Sequence, residues 1–328
     1  MPLASLAPPA PQAPLAPLAS QAPLASQAPQ AFPTIPASRC NVISLCRRSP
    51  YGLAMILIRP LLTALLLLSA AAAPLRAQSV EDIVQARIIP GTVDAAGNRV
   101  AAIRLTLLPG WKTYWRAPGE AGIPPLFDWS GSRNLADVAL IWPRPAVFEL
   151  NGMTSIGYHD DLVLPVALTP QRPGQPLDLR LRLEIGVCKD ICVPAVLTLR
   201  ANLEGSIAAK TQVVDPAIAR ALADQPESGA QTGLGGVACT ITPIADGLSV
   251  RAEITLPDQG GEELVVFETA DPKVWISPAP TSRSGAVLTA TADLVPPAGA
   301  PFALDRSSVT LTVLGSDGAV EIRGCPAP

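Results

Sequence analysis

Apolar and polar residues alternate with a period of two along much of the chain. From Leu177 to Val187 every second residue is apolar, and charged residues such as Arg180 and Glu184 stand between them. The same alternation recurs over 197–203 and 248–256. It is typical of strands with one buried and one solvated face. Further strands are predicted at 84–89, 99–108, 138–142, 162–168, 263–268, 286–293, 309–314 and 319–323.

Short strands separated by Pro/Gly turns, with almost no helical periodicity, predict an all-β fold of two immunoglobulin-like β-sandwich domains. One helix is expected from Asp215, an N-cap residue followed by Pro216, to about Asp224. The Pro- and Gly-containing stretch after it is typical of a flexible linker. The predicted domains therefore span 78–210 and 236–328, joined by a helix and linker at 211–235.

The N-terminal part has a different composition. Residues 1–50 hold 11 of the 37 prolines and no acidic residue, so 1–54 is a low-complexity segment with little to bury. Met55 is a second candidate translation start. From there Arg59, an apolar run and the ending Leu75-Arg76-Ala77 predict a secretory signal peptide at 55–77. The apolar run is short against the ~20 residues of a membrane-spanning helix.

Removal of that segment changes the charge and the cysteine count. It takes away five basic residues and no acidic one from totals of 24 and 27, which leaves a net charge of −8. An acidic chain without a Lys/Arg cluster argues against nucleic acid and anionic membrane surfaces as partners. Cys40 and Cys46 are removed as well. The four remaining cysteines, in an exported chain, indicate disulfides and a periplasmic location.

The four cysteines fall into two dissimilar pairs. Cys239 and Cys325 lie near the two ends of the second predicted domain. Closing so long a loop constrains the unfolded chain by ~4–5 kcal/mol, against ~2 kcal/mol for the loop between Cys188 and Cys192. This contrast predicts a structural disulfide for the first pair and leaves the second pair open to redox chemistry or to a small structural role.

Cys188 and Cys192 flank Lys189-Asp190-Ile191 between two alternating strands. On a continuous strand they would be ~13 Å apart at ~3.3 Å per residue, whereas a disulfide needs Cα atoms within about 7 Å. The chain must therefore turn, as a hairpin tip or as a single helical turn. A short loop gains little stability from its disulfide, and labile disulfides are the ones suited to exchange.

Four segments resemble the N-terminal periplasmic domain of the DsbD thiol:disulfide interchange proteins. They are the aromatic segment 109–116, the segment 127–131, the pair Gly157-Tyr158, and the cysteine motif 186–195 with its following proline. The likeness is closer to the periplasmic part of the ScsB (suppressor of copper sensitivity) relatives, which carry two immunoglobulin-like domains. It covers most of 80–328.

The resemblance implies an electron relay with defined roles. Cys192 matches the cysteine that attacks and forms mixed disulfides, and Cys188 the one that resolves them. Trp111 and Tyr114 match aromatic positions near the pair. The segment 149–153, with Asn151 and Met153, falls where the family has a loop that caps it.

The resemblance also implies the partners. The pair would receive electrons from a membrane transporter of the DsbD or CcdA type through a thioredoxin-like domain and reduce oxidised periplasmic proteins, with no cofactor. Thioredoxin-like periplasmic proteins are expected among its partners. Nothing after residue 77 is apolar enough to cross a membrane, and no Cys-x-x-Cys motif follows. The reductant is therefore expected to be a separate protein, and the activity that of a protein-disulfide oxidoreductase.

Two other classes stay open from the residues themselves. Thiolates are soft ligands, so Cys188 and Cys192 suit Cu(I), with Met153 as the one nearby soft residue. A purely structural or adhesive pair of sandwiches is the other alternative. His159, the single histidine, stands in a polar turn, which disfavours a hydrolase, and no phosphate loop or zinc-ligand motif occurs.

Export predicts a processed protein. A signal peptide at 55–77 should be cleaved, so the mature chain should begin near Gln78. Mass spectrometry of the periplasmic fraction measures this N-terminus. An intact chain that starts at Met1 and stays in the cytoplasm would contradict the prediction.

Overall fold

The alternating segments form strands of two β-sandwiches in a computed structural model that describes residues 79–94, 96–150, 152–204, 215–297 and 302–328. The low-complexity segment 1–54 and the predicted signal peptide 55–77 lie outside the described residues. In this part of the chain no helix is long and apolar enough to span a membrane. The predicted all-β class is confirmed.

Two antiparallel sheets form the first sandwich, after a single helical turn, α1 (Val80–Ile83). One sheet has the order β1-β2-β8-β5 and the other β10-β9-β3-β7-β6, with β4 beside β9. The strands are β1 Val84–Val93, β2 Arg99–Leu107, β3 Lys112–Gly119, β4 Leu126–Asp128, β5 Leu135–Leu140, β6 Ala146–Leu150, β7 Met153–His159, β8 Asp161–Pro170, β9 Leu177–Cys188 and β10 Cys192–Leu203.

Strand β9 shows why the sequence folds this way. Its odd-numbered residues from Leu177 to Val187 are at most 3% exposed and belong to the core between the two sheets. Its even-numbered charged residues, Arg180 and Arg182, are solvent-exposed on the outer face. The alternation in the sequence therefore predicts whether each side chain lies on the buried or the solvated face of the sheet.

The predicted helix is present as α2, Pro216–Ala223, and its N-cap is the expected one. The Asp215 Oδ1 accepts a hydrogen bond from the Ala217 amide at 2.8 Å. Its buried Ile218 packs with Ile89 and Ala102 on the first sandwich. The stretch after it differs from a flexible linker, because Glu227–Ser228 forms a short strand, β11, that pairs in parallel with the chain's final strand.

The second sandwich also consists of two sheets. Their orders are β11-β19-β18-β14 and β12-β13-β17-β15, with β16 beside β17. The predicted hairpin is confirmed, since Leu314 pairs with Ala319 across Gly315–Gly318. The strands are β12 Gly236–Pro243, β13 Leu248–Thr255, β14 Leu264–Glu268, β15 Trp275–Ile276, β16 Thr281–Ser284, β17 Val287–Val295, β18 Thr310–Leu314 and β19 Ala319–Arg323, with a 3-10 turn at Arg306–Ser308.

The two sandwiches pack against each other, because the sheet of β14, β18 and β19 is buried on both faces. One face contributes Leu311 and Val313 to its own core. The other contributes Leu314 and Ala319 to the core of the first sandwich. The division at the linker stays a prediction, and the contact between the two cores is an addition to it.

An ion-pair group lies at this contact. The Arg116 guanidinium, on β3, binds both carboxylate oxygens of Glu268 at 2.8 and 2.9 Å and one of Glu321 at 2.8 Å. Burial by itself lowers the pKa of Arg116, but the two glutamates outweigh it and the pKa is raised. Arg116 therefore keeps its charge and its bidentate geometry fixes the two sandwiches in register.

A disulfide joins the two ends of the second sandwich. Cys239 lies on β12 and Cys325 lies just after β19, and a disulfide bond joins their sulfur atoms. Both are at most 1% exposed. The Arg306 guanidinium donates to both of their carbonyl oxygens at 2.9 and 3.1 Å. A reductant in solution has no access to this bond in the folded protein.

The burial predicts an order of reduction. Under mild dithiothreitol the Cys239–Cys325 bond should stay oxidised while Cys188–Cys192 opens, since thiol exchange needs access to a sulfur. Differential alkylation with peptide mapping measures both bonds in one sample. The reverse order would contradict the assignment of the two pairs.

Candidate functional site

The Cys188–Cys192 pair lies at the tip of the hairpin formed by β9 and β10. Cys188 ends β9, Cys192 begins β10, and the two are direct cross-strand partners. They are bonded, with their Cα atoms 4.1 Å apart. The Lys189 amide donates to the Ile191 carbonyl at 3.2 Å and closes the turn. The turn required by the sequence is therefore a hairpin tip and not a helical turn.

The two sulfur-bearing residues differ sharply in exposure. Cys188 is 1% exposed, whereas Cys192 is exposed. Strand parity places Cys188 on the outer face of β9, with Arg180 and Arg182, and not in the sandwich core. Its burial therefore comes from residues that lie over this outer face.

Tyr114 on β3 and the segment 120–123 after that strand provide the cover. Tyr114 and Ile123 both lie over Gly186, two residues before Cys188. A Cβ atom at Gly186 would be 2.9 Å from the Ile123 Cβ and 3.0 Å from the Tyr114 ring, so only glycine leaves room for both. The Ala121 amide donates to the Thr154 carbonyl at 3.3 Å, which ties the segment to β7.

The Tyr114 hydroxyl is in direct contact with the disulfide. It donates to the Cys188 Sγ at 2.8 Å and lies 3.3 Å from the Cys192 Sγ. It is also 3.3 Å from the Ala121 carbonyl oxygen. Burial raises the pKa of Tyr114, so the hydroxyl keeps its proton and remains a donor at neutral pH.

Lys112 is the backbone neighbour of Cys188 on the same sheet. It pairs with Cys188 on β9 and with His159 on β7, so the three side chains share the outer face. Its Nζ donates to the Ser155 Oγ at 2.8 Å and lies 4.9 Å from the centre of the Phe148 ring. Burial lowers the pKa of Lys112. The ammonium group therefore lies over β7 and β6, on the side of β3 away from the disulfide.

The other predicted site residues do not all lie at the disulfide. Trp111 precedes Lys112, is half-buried and packs against the core of the first sandwich. Met153 begins β7 at its hairpin with β6 and is 46% exposed. It stands six residues before His159, the partner of Lys112, and so lies further along the sheet than the disulfide. Asn151 lies outside the described residues.

Sequence reasoning missed the segment 120–123 and Lys112. The segment shows no motif beyond one glycine and one isoleucine in a loop. The sequence pattern of a loop does not indicate which part of the fold the loop covers. Strand β3 was not among the predicted strands, so the parity that places Lys112 and Tyr114 on one face was missed with it.

Clusters of metal-ligating side chains would be a second kind of candidate site. Among the described residues, no group of three or more His, Cys, Asp or Glu side chains could hold a metal ion. His159 is exposed at the surface, with its Nδ1 2.6 Å from an Asp160 carboxylate oxygen.

Comparisons with known proteins agree with the motifs. Residues 81–202 match the family model described as the thiol:disulfide interchange protein DsbD, N-terminal. This match confirms the resemblance for the first sandwich, which carries the hairpin disulfide. No curated protein sequence matches the chain.

A solved structure extends the likeness to the fold of both sandwiches. It is the crystal structure of the N-terminal periplasmic domain of ScsB from Proteus mirabilis, with a TM-score of 0.56 and 19% sequence identity. The match covers 75% of this chain and 94% of that one. At this identity the likeness shows a shared fold.

The hydroxyl contact predicts an effect of Tyr114→Phe on the redox equilibrium. A hydrogen bond to a thiolate is stronger than one to a neutral sulfur, so the hydroxyl stabilises the reduced pair more than the disulfide. Its removal should shift the equilibrium with glutathione roughly tenfold toward the disulfide, since a bond to a charged group contributes about 1.5–3 kcal/mol.

Tyr158→Phe is a matched control. Tyr158 is also buried, and its hydroxyl donates to the Pro143 carbonyl at 2.8 Å instead of to a sulfur. This variant should leave the glutathione equilibrium unchanged. Equal shifts in both variants would mean that a general loss of packing, and not the sulfur contact, is responsible.

Proposed function

We propose that this chain is a periplasmic thiol–disulfide exchange protein that relays electrons from a membrane partner to oxidised periplasmic proteins through Cys188 and Cys192. The observation that carries the proposal is the asymmetry of the pair: one sulfur is exposed and the other is buried under Tyr114. The family match at 81–202 supports the reaction type.

The asymmetry assigns a role to each cysteine. In the reduced protein the Cys192 thiolate attacks the disulfide of an oxidised partner. An S–S bond forms between Cys192 and the partner, and the partner's second sulfur leaves as a thiolate. Only Cys192 is exposed enough for this step.

The second step closes the hairpin. The Cys188 thiolate attacks the Cys192 Sγ, the intramolecular disulfide forms again, and the partner's remaining sulfur leaves and takes up a proton. Two electrons have then passed from the Cys188–Cys192 dithiol to the partner. The cross-strand pairing holds the two sulfurs within bonding reach throughout.

Tyr114 supports the buried thiolate. Its hydroxyl donates to the Cys188 Sγ. A hydrogen bond to the charged form favours the thiolate that must attack in the second step. Recharging is the reverse sequence, in which a reduced thioredoxin-like donor attacks the exposed Cys192 Sγ.

The proposed periplasmic location has two kinds of support. The sequence predicts a signal peptide at 55–77, and the domain of similar fold is described as periplasmic. The electron source is proposed to be a membrane transporter of the DsbD or CcdA type that acts through a thioredoxin-like domain.

The role assignment predicts different trapping by two variants. Cys188→Ala removes the resolving thiol, so the mixed disulfide at Cys192 cannot finish the exchange and should accumulate. Cys192→Ala leaves only the buried sulfur and should accumulate few complexes. Non-reducing electrophoresis after incubation with an oxidised thioredoxin-like protein measures the trapped fraction.

Two outcomes would contradict the proposal at different levels. Equal trapping by the two variants would mean that the role assignment is wrong. No trapping by either variant, together with a Cys188–Cys192 bond that stays closed under a strongly reducing thioredoxin system, would exclude exchange chemistry itself. The double variant, which lacks both thiols, is the negative control.

A further inference from the structure

Strand β3 pairs regularly with β7 in its first half and bulges in its second. Residues 112–114 pair one to one with β7, and the next paired residue of β3 is Gly119. Four residues of β3, 115–118, therefore stand opposite a single residue of β7. A bulge of this kind changes the direction in which neighbouring side chains point. The side chain directly before this bulge is Tyr114, which contacts the disulfide.

The bulge and the segment after it form a loop that closes on the Tyr114 hydroxyl. This hydroxyl lies 2.8 Å from the Cys188 Sγ and 3.3 Å from the Ala121 carbonyl oxygen. Ala121 follows Tyr114 by seven residues, so the chain leaves the tyrosine and returns to its side chain. A tyrosine has one O–H to donate. The position of β3 therefore decides how that proton is divided between the sulfur and the carbonyl.

The second sandwich holds the bulge. The Arg116 guanidinium binds Glu268 at 2.8 and 2.9 Å and Glu321 at 2.8 Å. It also lies 4.4 Å from the centre of the Trp115 ring, which is buried in the core of the first sandwich. The bulge is thus held by its own core on one side and by two carboxylates of the second sandwich on the other. A shift of Arg116 moves the backbone two residues from Tyr114.

The two redox states depend on the hydroxyl to different degrees. A hydrogen bond to a thiolate is stronger than one to a disulfide sulfur. The reduced pair therefore loses more than the disulfide when Tyr114 turns from the Cys188 Sγ toward the Ala121 carbonyl. The contact that holds the bulge is consequently more favourable in the reduced protein, and by linkage the contact favours reduction to the same extent.

We propose that Arg116 is a positioning residue for the exchange reaction, and that the second sandwich sets the redox equilibrium of the hairpin disulfide through Glu268 and Glu321. The inference rests on the proposed function, because it concerns the same pair of sulfurs. The ion pairs stabilise the dithiol by holding the tyrosine hydroxyl on the buried sulfur. The second sandwich takes part in the reaction in this way without exchanging electrons itself.

The test measures the equilibrium of the hairpin disulfide with graded glutathione buffers in the full mature chain, by alkylation and peptide mapping. Arg116→Lys keeps the charge but loses the planar fork that binds two carboxylates. The double variant Glu268→Gln/Glu321→Gln keeps the arginine and neutralises its partners. Both should shift the equilibrium toward the disulfide by about two- to tenfold. The ~tenfold shift expected for Tyr114→Phe is the upper limit.

Through-space electrostatics predict the opposite sign for the double variant. Loss of two negative charges leaves the Arg116 cation uncompensated, and a positive charge favours a thiolate, so the equilibrium would move toward the dithiol. Positioning acts through the Tyr114 hydroxyl instead. In a Tyr114→Phe background the same substitutions should therefore cause no further shift, and a double-mutant cycle measures this dependence.

Glu263→Gln is the matched control. Glu263 binds Arg283 with both carboxylate oxygens, and its side chain is 4% exposed. Its partner lies on β16, within the second sandwich. The control variant should leave the glutathione equilibrium unchanged even if it lowers the melting temperature. Thermal unfolding shows that each variant is folded where the equilibrium is measured, and Arg116→Lys is the milder change if the double variant is not.

The outcomes separate positioning from the reaction. A wild-type hairpin disulfide that does not equilibrate with glutathione overturns the proposed function and the positioning role with it. An equilibrium that is unchanged in Arg116→Lys and in the double variant overturns the positioning role alone. The same holds for a shift toward the dithiol, for a shift that persists in the Tyr114→Phe background, and for a shift that Glu263→Gln reproduces. A shift toward the disulfide that disappears in that background supports the proposal.

Discussion

Burial of one sulfur depends on the close approach of two side chains to the backbone at Gly186. The missing Cβ lets the Tyr114 ring and Ile123 lie directly on β9, where any larger residue would collide with them. Tyr114 then reaches the Cys188 Sγ and Ile123 covers the strand beside it. Arg180 and Arg182, which share this face further along β9, are exposed.

Strand β3 connects the disulfide with the rest of the molecule. Lys112 pairs with Cys188, Tyr114 donates to its sulfur, and Arg116 binds Glu268 and Glu321 of the second sandwich. Alternate residues of one strand therefore pair with the hairpin tip, cover the sulfur and bind the second sandwich. A strand fixed at both ends in this way holds the Tyr114 hydroxyl in place beside the disulfide.

The two disulfides show how environment separates structural from exchange chemistry. Cys239 and Cys325 are both buried, and Arg306 binds both of their carbonyl oxygens. Such a bond stabilises the sandwich mainly by constraining the unfolded chain. Cys188 and Cys192 close a short loop with one sulfur at the surface, so their bond contributes little stability and remains accessible. The two bonds therefore suit different roles, stabilisation in the second sandwich and the proposed exchange in the first.

The sequence by itself determined the regularly alternating strands, the sandwich class, the helix from Pro216 and the hairpin at Gly315–Gly318, because alternation, capping and turn residues are local signals. It missed β3, β4, β6 and β7, which lack that regular alternation. It also determined the need for a turn between Cys188 and Cys192, and through its motifs the likeness to the DsbD N-terminal domain. The signal peptide at 55–77 and the role of Asn151 stay predictions. Only the tertiary structure decided that Cys188 is buried and Cys192 exposed, that Tyr114 contacts the sulfurs while Trp111 packs on the core, and that the two sandwiches share a contact. Strand periodicity assigns a side chain to a face of its sheet, but which distant segment covers that face depends on contacts between residues far apart in the chain.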